Sequence, residues 1–283
     1  MELTKEFLYQ QFIVENKSGI QISHEFKIPK TNIYRFLDRY NIKKSDNDRN
    51  KGKAIKKINI SLLEEFTPFS CYFLGVFFGD GCVHYLPEKR RYSLRIVTVK
   101  PSLVISKYFK EYIGGKIYYS KRIKYGKIRH QYSYVLSSKY LCDLFINKYS
   151  LVPRKTDILQ FPDYIPKEYL KYFIRGFLDS DGYICMSHGK AMKHSQKIGL
   201  CTNSKKFLEK MRDIINREIN IYTPQISKNN SNNCYHLIYS TNKGKALGNW
   251  LYSDILENNP QTFYLPYKFE RFKEYFNIIQ TTS

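Results

Sequence analysis

Apolar and polar positions run through the same order twice from residue 60 onward. An almost continuous apolar run, Tyr72 to Val83, contains Asp80-Gly81, and a second, Tyr172 to Ile184, contains Asp181-Gly182. Each run predicts an apolar helix that ends at its Asp-Gly. Alternation with period two after each helix predicts strands, and spacings of three and four predict further helices. In the first repeat, strands are expected at 82–86, 92–99, 116–122 and 129–137, with helices at 102–113 and 139–149. In the second, strands are expected at 183–187, 197–202, 224–228 and 235–240, with helices at 204–220 and 243–254. The predicted fold is α+β: two pseudo-symmetric αββαββα halves whose antiparallel sheets form a saddle, over residues 60–166 and 167–283. Phe263 to Ile279 mixes Tyr, Phe, Lys and Arg at near-helical spacing and predicts a terminal helix packed on the second half.

Residues 1–44 read differently, as a small helical module. A helix is expected from Thr4 to Glu15, a break at Ser18-Gly-Ile, a helix from Gln21 to Phe26, a turn at Lys27-Ile-Pro-Lys, and a helix from Thr31 with Thr31 or Lys30 near its N-cap. Ile33, Phe36, Leu37 and Tyr40 form one stripe on the last helix, and Asn32, Arg35 and Arg39 lie off it. The pattern resembles a helix-turn-helix, whose second helix enters the major groove of DNA. A plain helical protein-interaction module is the alternative. Residues 45–59 are polar, charged and aperiodic, which predicts a basic linker.

Composition narrows the partners. Among 283 residues, 47 Lys and Arg against 25 Asp and Glu give a net charge of +22, spread along the chain. Such an excess favours a polyanion and predicts binding that weakens steeply with salt. A Lys-rich compositional bias is the competing account of part of it. With 42% apolar and 16% aromatic residues the chain has material for a real core, so disorder is not expected. No apolar stretch has the length of a membrane span, and Met1-Glu-Leu-Thr-Lys-Glu is no signal peptide. The protein is expected to be intracellular, at DNA, with no membrane. Cys71, Cys82, Cys142, Cys185, Cys201 and Cys234 show no zinc-type pair spacing and read as reduced thiols. The six histidines are equally dispersed, so neither a zinc site nor a His-centred nuclease site is supported.

The chemistry concentrates at the two helix ends. Gly75 and Gly79 share one helix face, as do Gly176 and Ser180, and small residues at this spacing let two helix backbones approach closely. Asp80 and Asp181 then emerge side by side, while Gly81 and Gly182 are expected to leave each helix in a conformation that other residues avoid. Two adjacent carboxylates repel unless a cation lies between them, and hard oxygen ligands select Mg²⁺ or a similar ion such as Mn²⁺. Bound metal polarises phosphates and activates water, and a minor groove roughly 6 Å wide lets paired sites reach both strands.

Phe73-Leu-Gly-Val-Phe-Phe-Gly-Asp-Gly and Ile174-Arg-Gly-Phe-Leu-Asp-Ser-Asp-Gly resemble the paired signature of the LAGLIDADG homing endonucleases. The resemblance implies a monomeric, divalent-metal-dependent endonuclease that makes a double-strand break with short 3′ overhangs. It puts Asp80 and Asp181 at the metal, with Gly79 and Ser180 in the metal set. It also implies basic or amide side chains around the metal, for which position selects Lys100 with Asn203 and Lys155 with Lys268; Arg154 and Tyr267 are weaker candidates. An ordinary phosphate contact is the alternative for each lysine. The sixth motif position, often acidic in the family, is Phe78 in one copy and Asp179 in the other, and Asp179 is expected to make a helix-end or backbone contact. An intron RNA maturase and a non-catalytic DNA-binding regulator fit the same resemblance.

Strand alternation nominates the base-reading face. Arg91, Ser93 and Arg95 alternate with Tyr92, Leu94 and Ile96, and Arg129, Gln131 and Ser133 repeat the pattern, as do Gln225 and Ser227 more weakly. Arg and Gln suit guanine and adenine edges, and unlike halves imply a long asymmetric double-stranded target. A solvated strand face is the alternative at each position.

Overall fold

The computed structural model describes residues 3–45, 58–124, 127–153, 158–187, 195–222, 225–229 and 234–277. Helix α1, Lys5–Tyr9, starts where the Thr4 side chain accepts from the Phe7 N–H, and continues through Gln10–Val14 as a wider π turn. Ser18, expected to break the chain's helical course, instead starts α2, Gly19–Phe26. Its side chain accepts from the Gln21 N–H while the Gln21 side chain accepts from the Ser18 N–H, a reciprocal cap. Lys27 turns the chain with φ 54°, and α3, Lys30–Arg39, begins after Pro29, so neither Thr31 nor Lys30 is the cap. Leu3, Leu8, Ile22, Ile33, Leu37 and Ile42 form a core of their own. Phe36 and Tyr40 cover that core without being fully buried in it.

The larger part begins with α4, Pro68–Asp80, whose first turn carries Pro68 and a reciprocal Thr67/Ser70 cap. Every residue from Ser70 to Phe78 is buried, which accounts for the unbroken apolar run. Strands β1 (Gly81–Leu86) and β2 (Arg91–Thr98) follow, then α5 (Leu103–Ile113), β3 (Lys116–Lys124), β4 (Lys127–Leu136) and α6 (Lys139–Asn147). The second half repeats the order with α7 (Leu170–Asp181), β5 (Gly182–Ser187), β6 (Ser195–Thr202), α8 (Lys205–Ile219), β7 (Ser227–Asn229) and β8 (Cys234–Ser240). It ends in α9 (Thr241–Leu251), the single turn α10 (Ser253–Leu256) and α11 (Pro266–Phe276). The helix expected at 243–254 is thus two pieces joined at Tyr252, and Gln225 lies ahead of β7 instead of within a strand.

Both sheets are antiparallel with matching order, β1-β2-β4-β3 and β5-β6-β8-β7. Leu94, Ile96, Ile198, Leu200, Leu237 and Tyr239 turn one face of each sheet onto the helices and leave the other open. A single apolar core runs through both halves: Phe78 of α4 lies 5.1 Å from Phe173 of α7 and 6.1 Å from Phe207 of α8, ring centre to ring centre. No helix among the described residues is long and apolar enough to cross a membrane.

Candidate functional site

Helices α4 and α7 meet backbone to backbone. A Cβ on Gly75 would collide with the Phe173 carbonyl and sit 2.9 Å from the Phe177 nitrogen. On the opposite side, one on Gly176 would collide with the Tyr72 carbonyl and sit 2.9 Å from the Val76 nitrogen. One turn on, a Cβ on Gly79 would strike Ser180 and come within 3.2 Å of Asp181 Oδ2. Ser180 keeps its hydroxyl inside its own helix, shared between the Gly176 and Phe177 carbonyls. The small-residue faces read from the sequence are therefore the contact, and they bring the Asp181 carboxylate against the α4 end that carries Asp80.

Each aspartate is the last residue of its helix, and the next residue is the first of a strand. Gly81 (φ −82°, ψ 152°) and Gly182 (φ −104°, ψ 174°) are ordinary extended residues, which corrects the expectation of a glycine-only conformation. Space is what they provide: a Cβ on Gly81 would be 2.7 Å from the Phe77 Cα, and one on Gly182 would be 2.5 Å from Leu178 Cδ1. Position also sets the electrostatics. A helix C-terminus carries about half a negative charge, so a carboxylate there is disfavoured, and two such ends face each other. Asp80 is exposed and Asp181 partly so, which leaves both open to a ligand. Among the described residues no group of three or more His, Cys, Asp or Glu side chains gathers to hold a metal. The donor set is two carboxylates with nearby carbonyls, hard oxygens that fit Mg²⁺ or Mn²⁺ and leave remaining positions to water.

One cation is already built in beneath the site. Lys268 of α11 is buried, and its Nζ donates to the carbonyls of Leu178 (2.6 Å), Asp179 (3.0 Å) and Gly182 (2.7 Å). An ammonium has three donors, and all three are used on the end of α7. Burial pushes the Lys268 ammonium below its ordinary range, opposed by the charges of Asp179, Asp80 and Asp181. Asp179, also buried, accepts from the Tyr72 hydroxyl of α4 (2.9 Å) and from the Leu265 N–H (2.8 Å), while its Oδ1 has no hydrogen-bond partner. Desolvation pushes its carboxyl up to about 6 against the pull of Lys268, Tyr72 and Leu265. The sixth motif position thus ties both helices to the C-terminal segment, the backbone contact the sequence suggested.

Two neighbours were missed by sequence reasoning. Arg175, fully buried, makes a two-pronged bond to Asp254, Nη1 to Oδ1 at 2.8 Å and Nη2 to Oδ2 at 3.2 Å. An arginine inside an apolar run was the signal, since a buried guanidinium requires a partner. Cys201 donates its thiol to the Asp181 carbonyl at 2.7 Å, which no spacing rule anticipates.

The remaining predicted residues are dispersed around this centre. Lys100 is exposed in the turn between β2 and α5, and Asn203 is partly buried in the corresponding place between β6 and α8. Lys155 and Arg154 lie outside the described residues. Tyr267 stands in the first turn of α11, where burial raises the pKa of its hydroxyl and, more weakly, the charges of Asp179 and Asp80 do the same against a hydrogen bond with Ser102. Register puts Arg91, Ser93 and Arg95 on the same open face as Ser133, Gln131 and Arg129, since Val97 pairs with Ser133. Tyr118, Ser120 and Arg122 of β3 join that face opposite Ser133, Gln131 and Arg129, an extension the sequence reading did not include. Ser227 is exposed at the edge of the second sheet opposite His236, and Gln225 is exposed just before it. In the N-terminal module Arg35 and Arg39 are exposed and Asn32 partly so.

Residues 168–246 match the family model of a LAGLIDADG-like domain. An uncharacterised protein of Methanocaldococcus jannaschii is 27% identical over 212 residues, covering 73% of this chain and 66% of that one, just under two thirds of its length. Among solved structures, the homing endonuclease I-WcaI bound to its DNA recognition sequence is similar at a TM-score of 0.48 and 14% identity, over 76% of this chain and 89% of that one. Mesophilic variants of the homing endonuclease I-DmoI are similar at a TM-score of 0.44 and 17% identity, over 66% and 96%.

Proposed function

We propose that this chain, which carries a LAGLIDADG-like domain, is a monomeric homing endonuclease that hydrolyses one phosphodiester on each strand of a long asymmetric DNA site. The observation that carries the reading is the pair of carboxylates at two helix C-termini held together by backbone contact. Two carboxylates at two facing helix C-termini repel each other, and the pair is open to solvent, so we read its placement as answering to a cationic ligand. Asp80 and Asp181, with the backbone around Gly79 and Ser180, hold a divalent cation such as Mg²⁺ or Mn²⁺. When bound, that cation supplies charge stabilisation to the scissile phosphate and an activated water.

The protein's own groups do the rest. Lys268 fixes the end of α7 and offsets the negative charge beneath Asp181. Lys100 and Asn203 flank the centre from matching turns and hold phosphate or water, and Lys155 is assigned with Lys268 on sequence position alone. The open face with Arg91, Ser93, Arg95, Arg129, Gln131 and Ser133 reads one half of the target, and Gln225 and Ser227 read part of the other. In the N-terminal module, Asn32, Arg35 and Arg39 on α3 contact DNA as a helix-turn-helix would.

The test is incubation of purified protein with a randomised duplex library in Mg²⁺, in Mn²⁺ and with a chelator. One cut species with short 3′ overhangs, lost with the chelator, is expected. Tight duplex binding with no cutting in any divalent metal would leave a DNA-binding regulator, and the proposal would fall.

A further inference from the structure

The β3–β4 hairpin runs on past the core. Buried Tyr134 pairs with partly buried Ile117 on the helix side of the sheet, and beyond them come the pairs Tyr119–Tyr132, Lys121–His130 and Ile123–Ile128 on that same side. Among the described residues no helix covers the outer pairs: Tyr119 is 50% exposed, Ile128 61% and Ile123 75%. This is the back of the hairpin, opposite the face that presents Arg129 and Gln131. Its rings are already assembled. Tyr119 lies 5.8 Å from His130 at an interplanar angle of 21° and 5.5 Å from Tyr132 at 47°, and the Tyr119 hydroxyl is 2.5 Å from His130 Nδ1.

Charge says what such a surface takes. The segment from Lys116 to Leu136 contains Lys116, Lys121, Arg122, Lys124, Lys127 and Arg129 and no Asp or Glu. A second copy of the chain would bring the same cations and be repelled, whereas a polyanion is attracted. Exposed rings next to cations suit the flat faces of bases, and a duplex keeps those faces hidden in its stack. Unpaired RNA, with bases splayed from loops and bulges, offers them together with phosphates.

We propose that the back of the β3–β4 hairpin is a second nucleic-acid surface, binding single-stranded RNA by stacking bases on Tyr119, His130 and Tyr132 while Lys121 meets the phosphates. It lies on the other side of the sheet from the duplex-reading face, so the two ligands bind together. The claim does not depend on cleavage.

Fluorescence anisotropy of the full chain with a labelled mixed-sequence RNA 12-mer tests it. The RNA is expected to bind, to stay bound under saturating unlabelled 30-base-pair duplex, and to lose affinity about tenfold or more in the Y119A/Y132A variant. Y119F/Y132F, which keeps the rings, should retain binding, and R129A/Q131A should weaken the duplex and spare the RNA. Absence of RNA binding, displacement of RNA by duplex, or full affinity in Y119A/Y132A would overturn the proposal. Equal affinity for a DNA 12-mer of the same sequence would overturn the assignment to RNA.

Discussion

The two halves share an order of elements and a strand topology, yet they fix their helix ends by opposite means. In α4 the sixth motif position is Phe78, which rests on Phe173 and Phe207. In α7 the same position is Asp179, which bonds Tyr72 and the Leu265 N–H and stands beside Lys268. Four residues earlier the contrast repeats: Leu74 is an apolar core residue, whereas Arg175 is bound to Asp254. The first helix is held by shape and the second by charge. The lesson is that small residues suffice where the two backbones touch, while the flanking side chains that reach across to the other half can be apolar from one helix and polar from the other.

The widest break in this comparison concerns the aspartates, where the halves are expected to be alike. Asp80→Asn and Asp181→Asn should each lower double-strand cleavage of a plasmid carrying the target about a hundredfold or more, with binding kept within a few fold. If one variant cuts at the normal rate, the centre is not shared and that residue leaves the mechanism.

Next in size is the buried pair that only the second half has. Arg175→Ala should destabilise the fold by about 3–5 kcal/mol by stranding Asp254 in the core. Joint replacement by Met and Leu should recover most of that loss, as the first half manages with Leu74 in the same place. Thermal unfolding of the single and double variants measures it, and an unchanged midpoint in the single variant would show that the pair carries no weight.

A smaller difference is pH dependence. Asp179 titrates at about 6 in the folded protein and near 3.8 when unfolded, so the folded form holds the proton more tightly. Its contribution is full below the lower value and is lost as pH rises through the higher one. Stability linked to this group therefore falls by about 1.4 kcal/mol per pH unit across that interval. Asp179→Asn should flatten the difference in calorimetric midpoint between pH 4 and pH 7, and no half-one residue at this position can titrate. The mildest effect is expected outside both halves. Removing residues 1–44, which have their own core, should shorten the footprint on DNA and weaken binding several-fold without stopping cleavage. An unchanged footprint would separate the N-terminal module from DNA recognition.

The repeat and its αββαββα plan were legible because periodicity and the paired Asp-Gly endings are local properties of the chain. The Gly75/Gly79 and Gly176/Ser180 faces were legible too, since spacing alone puts them on one side of a helix. Contacts between distant residues were not. Lys268 was picked out by its position in the chain, but its three carbonyl partners lie far back in the sequence, and nothing local distinguishes it from a surface lysine. Ser18 looked like a break because a reciprocal cap and a loop begin with the same residue types. At Gly81 and Gly182 the conformational argument gave the right residue for the wrong reason, because the crowding comes from Phe77 and Leu178.

The bonds of Asp179 to Leu265 and of Lys268 to α7 also set an order in time. A ribosome makes Asp80 and Asp181 well before Leu265 and Lys268, so a partly synthesised chain has both acids without the segment that seats them. The bonds that fix the end of α7 can therefore close only after both sheets have been made, so the Asp181 side of the pair is the last part to be seated.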